Sequence, residues 1–474
     1  MILALALLLA QAKSAEDEFY PLLRIPVPQG IVLEAGGIEL MPDGKLAVAT
    51  RRGEIWMIEN PGPEPKFKLW ASGLHELLGI AQKDGWIYAM QRGELTRIRD
   101  ADGDGRADTF RTFCDGWSVS GDYHEYAFSS KFDREGNLWI VLCLTGSFTS
   151  DVPFRGWCVR VSPEGKLIPT TSGVRSPGGI GMNAEGDVFY CDNQGPWNGS
   201  SKLQWLKPGA FVGHPDGNRW YASAPNMGPR PADPKSGSRF HVEAERIPEY
   251  EPPTVLLPHG KVGNSASGIV CDESDGRFGP FRKQLFVSDQ SFSQVNRVFL
   301  EKIDGRYQGA CFPFRHGFGS GNVPMLMTKD GTVWVGGTNR GWGSRGNLPY
   351  ALDRMTWSGR VPFEVHEMRA KPDGFELVFT QPVDPAAAGN PASYGMKTWT
   401  YVYQAAYGSP EVDASTPKLV SARPSDDGLR VRLKVDGLQI GHVHELTLPG
   451  IRSREGKGLL HPIGYYTLWK LPKE

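Results

Sequence analysis

The sequence predicts an all-β protein, a six-bladed β-propeller followed by a small β-sandwich. Three observations carry this. Gly and Pro number 58 and 37 of 474 residues, about one fifth of the chain against the roughly 12 % of average usage. They are spread from end to end among 14 Trp and 22 Phe, which describes a turn-rich folded chain and excludes a mainly helical or disordered one. One strand–turn–strand pattern also recurs six times, at spacings of about 40–50 residues where nothing intervenes, the period of four-stranded propeller blades.

The copies follow in order. GIELMPDGKLAVAT turns at Asp43, GIAQKDGWIYAM at Asp84, FSSKFDREGNLWIVL at Glu135 and GIGMNAEGDVFYCDN at Glu185. GIVCDESDGRFGPFRKQLFVSDQ carries a short insertion between Asp275 and Leu285, and MLMTKDGTVWVGG turns at Asp330. Asp-Gly or Glu-Gly between alternating apolar runs is a hairpin signal, because Gly supplies the positive φ of the turn. The propeller is therefore placed over residues 31–363, with the Pro-rich, polar stretch 212–263 as an excursion over one face. Beyond it, FELVFTQPVD, KLVSARP, LRVRLKV and HELTLPG alternate without the blade signature, and residues 364–474 are assigned to an immunoglobulin-like β-sandwich packed on the propeller.

Composition narrows the function classes. Lys plus Arg number 52 against 53 Asp plus Glu, which gives no electrostatic footprint for nucleic acid or an anionic membrane. Met1–Ala12 is an apolar run ending in the small-x-small pattern Ala10-Gln11-Ala12, too short to span a bilayer. A signal peptide over residues 1–15 and an exported, periplasmic or extracellular protein are expected, and no other stretch suggests an integral membrane protein. The six cysteines form no C-x-x-C, so a zinc ribbon, a dithiol pair and covalent c-type haem are unsupported. At most one disulfide is expected, with Cys143, Cys191 and Cys271 as buried hydrophobes.

Two constellations point to chemistry. Asp100, Asp102, Asp104 and Asp108 stand at positions 1, 3, 5 and 9 of DADGDGRAD, with Gly105 at position 6 for the sharp turn. Such a loop can fold around calcium, and its role would be to staple a hairpin. The second is spread over blades. His124 precedes the innermost strand of one copy and Arg175 that of the next, while Asp192–Pro196 closes the hairpin of the latter. Loops entering innermost strands face the channel, so His124 and Arg175 are expected to share one cleft. A neutral His there can take a hydroxyl proton and an Arg can stabilise charge on an acceptor oxygen. His442 and His444 alternate along a strand and read as a solvent-facing pair. Asn198-Gly199-Ser200 matches a glycosylation acceptor. Trp86, Trp139 and Trp334 read as blade packing, and Trp197, Trp220 and Trp342 as loop residues able to stack on a sugar ring.

These residues resemble a family. R-x-P-x-G-I-G at Arg175–Gly181, Gln194-Gly195-Pro196, Leu77-Leu78-Gly79, Ser267-Gly268-Ile269 and Leu285-Phe286-Val287 are similar to the motifs of soluble quinoprotein glucose/sorbosone dehydrogenases. Those are exported six-bladed propellers that use pyrroloquinoline quinone (PQQ) and calcium. Related propellers of environmental bacteria are often fused to a c-type haem domain, whose motif is absent here. The resemblance implies oxidation of a sugar or polyol, with electrons passed to an acceptor such as a cytochrome. It implies His124 as base, Arg175 as the group polarising the quinone, and Ser176, Gln194, Gly195 and Pro196 at the cofactor, the last two through carbonyls that hold calcium. The chain departs from the family pattern at Ser176, where Asn is usual, near Ser291, where Lys is usual, and at Gly321 and Asn322, where two Arg are usual. Arg297, Arg315 or Arg340 are candidates to replace these cations. Two other readings stay open: a non-enzymatic, calcium-stapled propeller that binds carbohydrate or protein, and a propeller lactonase using Glu125, Asp192 or Asp289.

Overall fold

The computed structural model describes residues 14–473; the Met1–Ala12 run lies outside them. Six antiparallel blades of four strands each form the propeller, five as separate sheets and one within a nine-stranded sheet. Blade one comprises Ala35–Leu40, Leu46–Thr50, Ile55–Glu59 and Lys66–Ala71; blade two Ile80–Lys83, Trp86–Met90, Leu95–Arg99 and Thr109–Cys114. Blade three is Ala127–Phe132, Leu138–Leu142, Trp157–Val161 and Leu167–Ser172. Blade four is Pro177–Met182, Val188–Asp192, Ser201–Trp205 and Val255–Leu257, so the excursion falls between its third and fourth strands and ends before Val255, short of the residue 263 expected. Blade five is Ala266–Cys271, Leu285–Asp289, Gln294–Ile303 and Arg306–Arg315. Blade six takes Asn322–Met327, Val333–Thr338 and Tyr350–Met355 from its own stretch and Leu22–Arg24 from the N-terminus, paired as Leu22↔Met355. The propeller thus begins upstream of the residue 31 expected from the repeat, because the closing strand lacks a turn signature. Each innermost strand packs on the next, and the first on the sixth, which closes the ring.

Glycine decides how tightly the ring closes. A Cβ on Gly179 would lie 2.6 Å from the Ser267 carbonyl oxygen, and one on Gly268 2.4 Å from that of Val323. The G-I-G and S-G-I motifs therefore serve backbone-to-backbone approach between neighbouring innermost strands.

The C-terminal region is a two-sheet sandwich fused to the propeller. One sheet orders Val365–Lys371, Gly374–Phe379, Arg430–Asp436 and Lys418–Pro424. The other, made of Gly395–Tyr403, His442–Thr447 and Ile463–Leu468 with Glu411–Ser415 at its edge, continues blade five through Gly309↔Thr467 and Cys311↔Tyr465. Ser238–Arg239 of the excursion adds a further strand to it. Trp399, Tyr401, Tyr403 and Trp469 share one buried core with Phe189, Leu203 and Val287 of the propeller. The sandwich is thus continuous with blade five in hydrogen bonding and in core. His442 and His444 are buried in it, contrary to the solvent-facing pair expected. All six cysteines are free and buried. No helix among the described residues is long and apolar enough to cross a membrane.

Candidate functional site

The central channel holds two cavities, of about 310 and 370 Å³, that share Leu78, Phe128, Gly178 and Val323 as a waist. The larger opens at the end where loops enter the innermost strands and where second strands end. It brings together His124, Arg175, Ser176 and Gln194, and adds Arg51, Arg340, His259 and Ser291. Among the described residues no Asp or Glu lines it.

Its arginines are held from behind. Glu76 is shared by Arg51 (Nε to Oε1 2.9 Å) and Arg92 (Nε to Oε2 2.7 Å), leaving this buried triad with a net positive charge. Burial works to raise the Glu76 pKa, but Arg51 and Arg92 outweigh it and hold the carboxyl below its ordinary range. Glu34 is likewise shared by Arg340 at 3.4 Å and Arg52 at 4.0 Å. The Arg175 guanidinium meets only carbonyls: Nη1 donates to those of Asn193 (3.2 Å) and Gln194 (2.7 Å), and Nε is buried without a partner. Of the three arginines considered as replacement cations, only Arg340 reaches the cavity. Arg297 donates to the carbonyls of Val365 and His366, and Arg315 pairs with Glu16.

His124 is about a third exposed, and its Nδ1 lies 3.9 Å from Asp122 Oδ1, beyond hydrogen-bonding distance. Burial, then the nearby Arg175 and Arg92, lower its pKa against the opposing pull of Asp122. The imidazole is therefore neutral at neutral pH and able to accept a proton. Burial lowers His259 in the same way.

The carboxylates that would serve a lactonase hold main chain. Asp192 accepts from the amides of Arg175 (3.2 Å) and Ser176 (2.7 Å) and from the Tyr190 hydroxyl. Asp289 accepts from Asn264, Ser265 and Phe292 amides, and Glu125 from Ser120 and Thr145. The second strands that end in Asp192 and Asp289 thus each fix the loop that enters an innermost strand.

Gly195 departs from the role the resemblance implies. Its carbonyl accepts from the Asn198 amide and from the Gly408 amide of the sandwich, both at 3.0 Å, so both lone pairs are used and calcium has no place on it. A Cβ on Gly195 would lie 1.9 Å from Arg175 Cζ, so this glycine makes room for the arginine. Pro196 bridges to Tyr407 in the 404–410 loop of the sandwich, and Gln194 donates to the Gly199 carbonyl while lining the cavity. Tyr407 is 62 % exposed, with its ring 5.3 Å from Arg175 Cζ and 6.4 Å from Phe148. Across the opening, Trp342 and Tyr123 are exposed beside His124. Trp197 packs on Tyr403 and Trp220 bonds to Ser150, away from the opening. The sandwich therefore supplies part of the rim.

The acidic hairpin lies elsewhere, on the two outer strands of blade two. It brings Asp100, Asp102 and Asp108 within 4.8 Å of one another but not Asp104, which accepts from the Arg106 amide. Asp100 and Asp108 also accept turn amides, and Lys68 reaches the Asp104 carbonyl.

Arg51, Arg340 and His259 carried a positional signal. Arg51 and Arg340 fall just after second strands, and His259 falls in the loop entering an innermost strand, like Asn193 and Arg175. Tyr407 carried none, because nothing local to its loop reports the domain it touches.

Comparison with known proteins agrees with this architecture. An oxidoreductase of Thermus thermophilus described as a glucose dehydrogenase superposes with TM-score 0.51 at 18 % identity, covering 71 % of this chain and 99 % of its own. A second glucose dehydrogenase gives 0.52 at 17 %, covering 70 % and 98 %. The PQQ-bound form of an aldose sugar dehydrogenase from Streptomyces coelicolor gives 0.49 at 15 %, covering 72 % and 98 %. At these identities the likeness is one of fold, that of the glucose dehydrogenase-like propellers. No curated protein matches the chain in sequence. Residues 61–307 match the family model described as Domain of unknown function (DUF7133), and with just over half its length matched, the chain belongs to that family.

Proposed function

We propose that the channel mouth oxidises a hydroxyl of a sugar or polyol, with a PQQ-type quinone as acceptor. The observation that carries this is a cavity lined by three arginines and no carboxylate, with a neutral histidine at its edge. PQQ bears three carboxylates, and Arg51, Arg175 and Arg340 bring three guanidinium charges to the cavity for charge-assisted pairing. Bound there, the quinone would supply a two-electron acceptor for hydride. In this reading His124 takes the hydroxyl proton, Arg175 stabilises charge on the acceptor side, and the rims Phe148–Tyr407 and Tyr123–Trp342 stack on the apolar face of a sugar ring. Calcium does not fit at Gly195, so no step is assigned to it at the mouth. Its proposed place is structural, at Asp100, Asp102 and Asp108, with Asp104 left out. Export and transfer of electrons to a cytochrome-like acceptor complete the proposal.

Two observations favour a second reading, a binding module without chemistry: the saturated Gly195 carbonyl and the commitment of Arg175 Nη1 to carbonyls. One experiment separates the two. PQQ is titrated into the purified chain while quinone absorbance is followed, and dye reduction is then assayed with aldoses and polyols. Saturable binding with turnover that disappears in His124→Ala supports the oxidation. Binding of sugar with no quinone uptake and no turnover supports the module.

A further inference from the structure

Away from the channel, three parts of the chain meet at a second polar cluster. Glu16 comes from the 3₁₀ turn Ala15–Glu18 that precedes the closing strand, His316 from the connection between blades five and six, and His461 and Glu364 from the sandwich. Two ring nitrogens converge on one oxygen: His316 Nδ1 lies 2.7 Å and His461 Nε2 3.0 Å from Glu16 Oε1. We propose that Glu16, His316 and His461 bind a zinc ion that fastens the N-terminal segment to the propeller and the sandwich.

Four features support it. Two imidazoles and a carboxylate are a zinc-binding set, and their ligand atoms all lie within 4.8 Å of one another. The outer partners of a metal site are also in place. His461 Nδ1 sits 2.5 Å from Glu364 Oε1, while the other Glu16 oxygen accepts from Arg315 Nη1 at 3.0 Å and from the His316 amide at 2.9 Å. Such contacts fix ring orientation and leave one face of each ligand for the metal. Carboxylates outnumber guanidiniums here: Arg315 pairs with Glu16 and Asp17, while Glu364 pairs with His461. The next cation, Arg297, is spent on Gln284 and the carbonyls of Val365 and His366. A divalent ion would supply positive charge in place of the imidazole protons where Glu16, Glu364 and His461 are all buried. Finally, His316 is half-exposed, which gives the ion a route in and leaves a coordination position for water.

The test uses the chelator-treated full chain with Co²⁺ as a spectroscopic stand-in. The expected result is uptake of one equivalent with the visible bands of a low-coordinate nitrogen-ligated site, displaced by Zn²⁺. His316→Ala abolishes it, and Glu364→Gln, which removes the group positioning His461, weakens it about 10–100-fold. Asp100→Asn on the remote hairpin leaves it unchanged. In the unmodified chain, Zn²⁺ should also protect His316 from acylation, a readout that needs no variant. The proposal is overturned if no stoichiometric uptake occurs, if His316→Ala binds as the parent does, or if Asp100→Asn removes the signal. A junction held by protons alone would give the first of these.

Discussion

The channel mouth and the N-terminal junction are charge-unbalanced in opposite senses. At the mouth, Glu76 and Glu34 each stand between two arginines, and Arg175 meets no carboxylate at all. At the junction Glu16 and Asp17 share one arginine, Arg315, and Glu364 is left to His461. Histidines report the difference. Burial and neighbouring arginines push His124 down. At His461 burial works the same way, but Glu364 and Glu16 outweigh it and push the pKa up to about 9. Buried charge left uncompensated is costly, so each imbalance indicates the sign of what completes the site: an anion at the mouth, a cation at the junction.

The largest expected effect lies at the mouth. His124→Ala should lower turnover about 10²–10⁴-fold, the usual contribution of a general base, in stopped-flow reduction of the quinone. Unchanged turnover would remove His124 from the chemistry. At the junction, Glu16→Ala should cost about 1–3 kcal/mol in urea unfolding, because it removes charge-assisted bonds to Arg315 and His461 while Asp17 and Glu364 still pair with them. A loss under about 1 kcal/mol, the worth of an exposed pair, would mean the N-terminal segment is held by its strand pairing alone. Next comes Arg340→Met, which should weaken quinone binding by about 1.5 kcal/mol, the low end for a charge-assisted bond, since this side chain is 40 % exposed. Calorimetry on both forms checks it.

The pH responses should have opposite signs. His461 has a folded pKa of about 9 against an ordinary 6.5. The metal-free chain therefore keeps this histidine's stabilisation below pH 6.5 and loses it as pH rises toward 9. For His124, whose folded pKa is lowered, the unfolded chain binds the proton more readily, so its contribution to stability falls as pH drops below the ordinary 6.5. Denaturant midpoints across this range for the parent, His461→Gln and His124→Ala separate the two. The smallest effect is expected at Asp104→Ala, within about 0.5 kcal/mol, because Asp104 stands apart from the Asp100–Asp102–Asp108 group.

What the sequence shows follows from how local each feature is. The D-G and E-G hairpins are local, so six blades are legible from the repeat. His124 and Arg175 are legible as partners because both enter innermost strands at the same blade position. His259 obeys the same positional rule, while Arg51 and Arg340 follow second strands as Asn193 does. The closing strand Leu22–Arg24 is not legible, since its partner, Tyr350–Met355, lies at the far end of the propeller sequence. Neither is the seat of Tyr407, nor the junction of Glu16 with His316 and His461, where residues from both ends of the chain meet. The glycine motifs illustrate the remaining difficulty. Gly179 and Gly268 serve the close approach of strands, and so carry information about fold where the resemblance suggests chemistry.

The most direct test of the central claim, that the mouth is built for a polyanion, is a calorimetric titration of PQQ in the presence of a chelator. It is run on the parent and on the single substitutions of Arg51, Arg175 and Arg340 to Met. The account predicts one-to-one binding without calcium, weakened by each substitution and by rising salt. No uptake by the parent, or uptake indifferent to all three arginines, would contradict it.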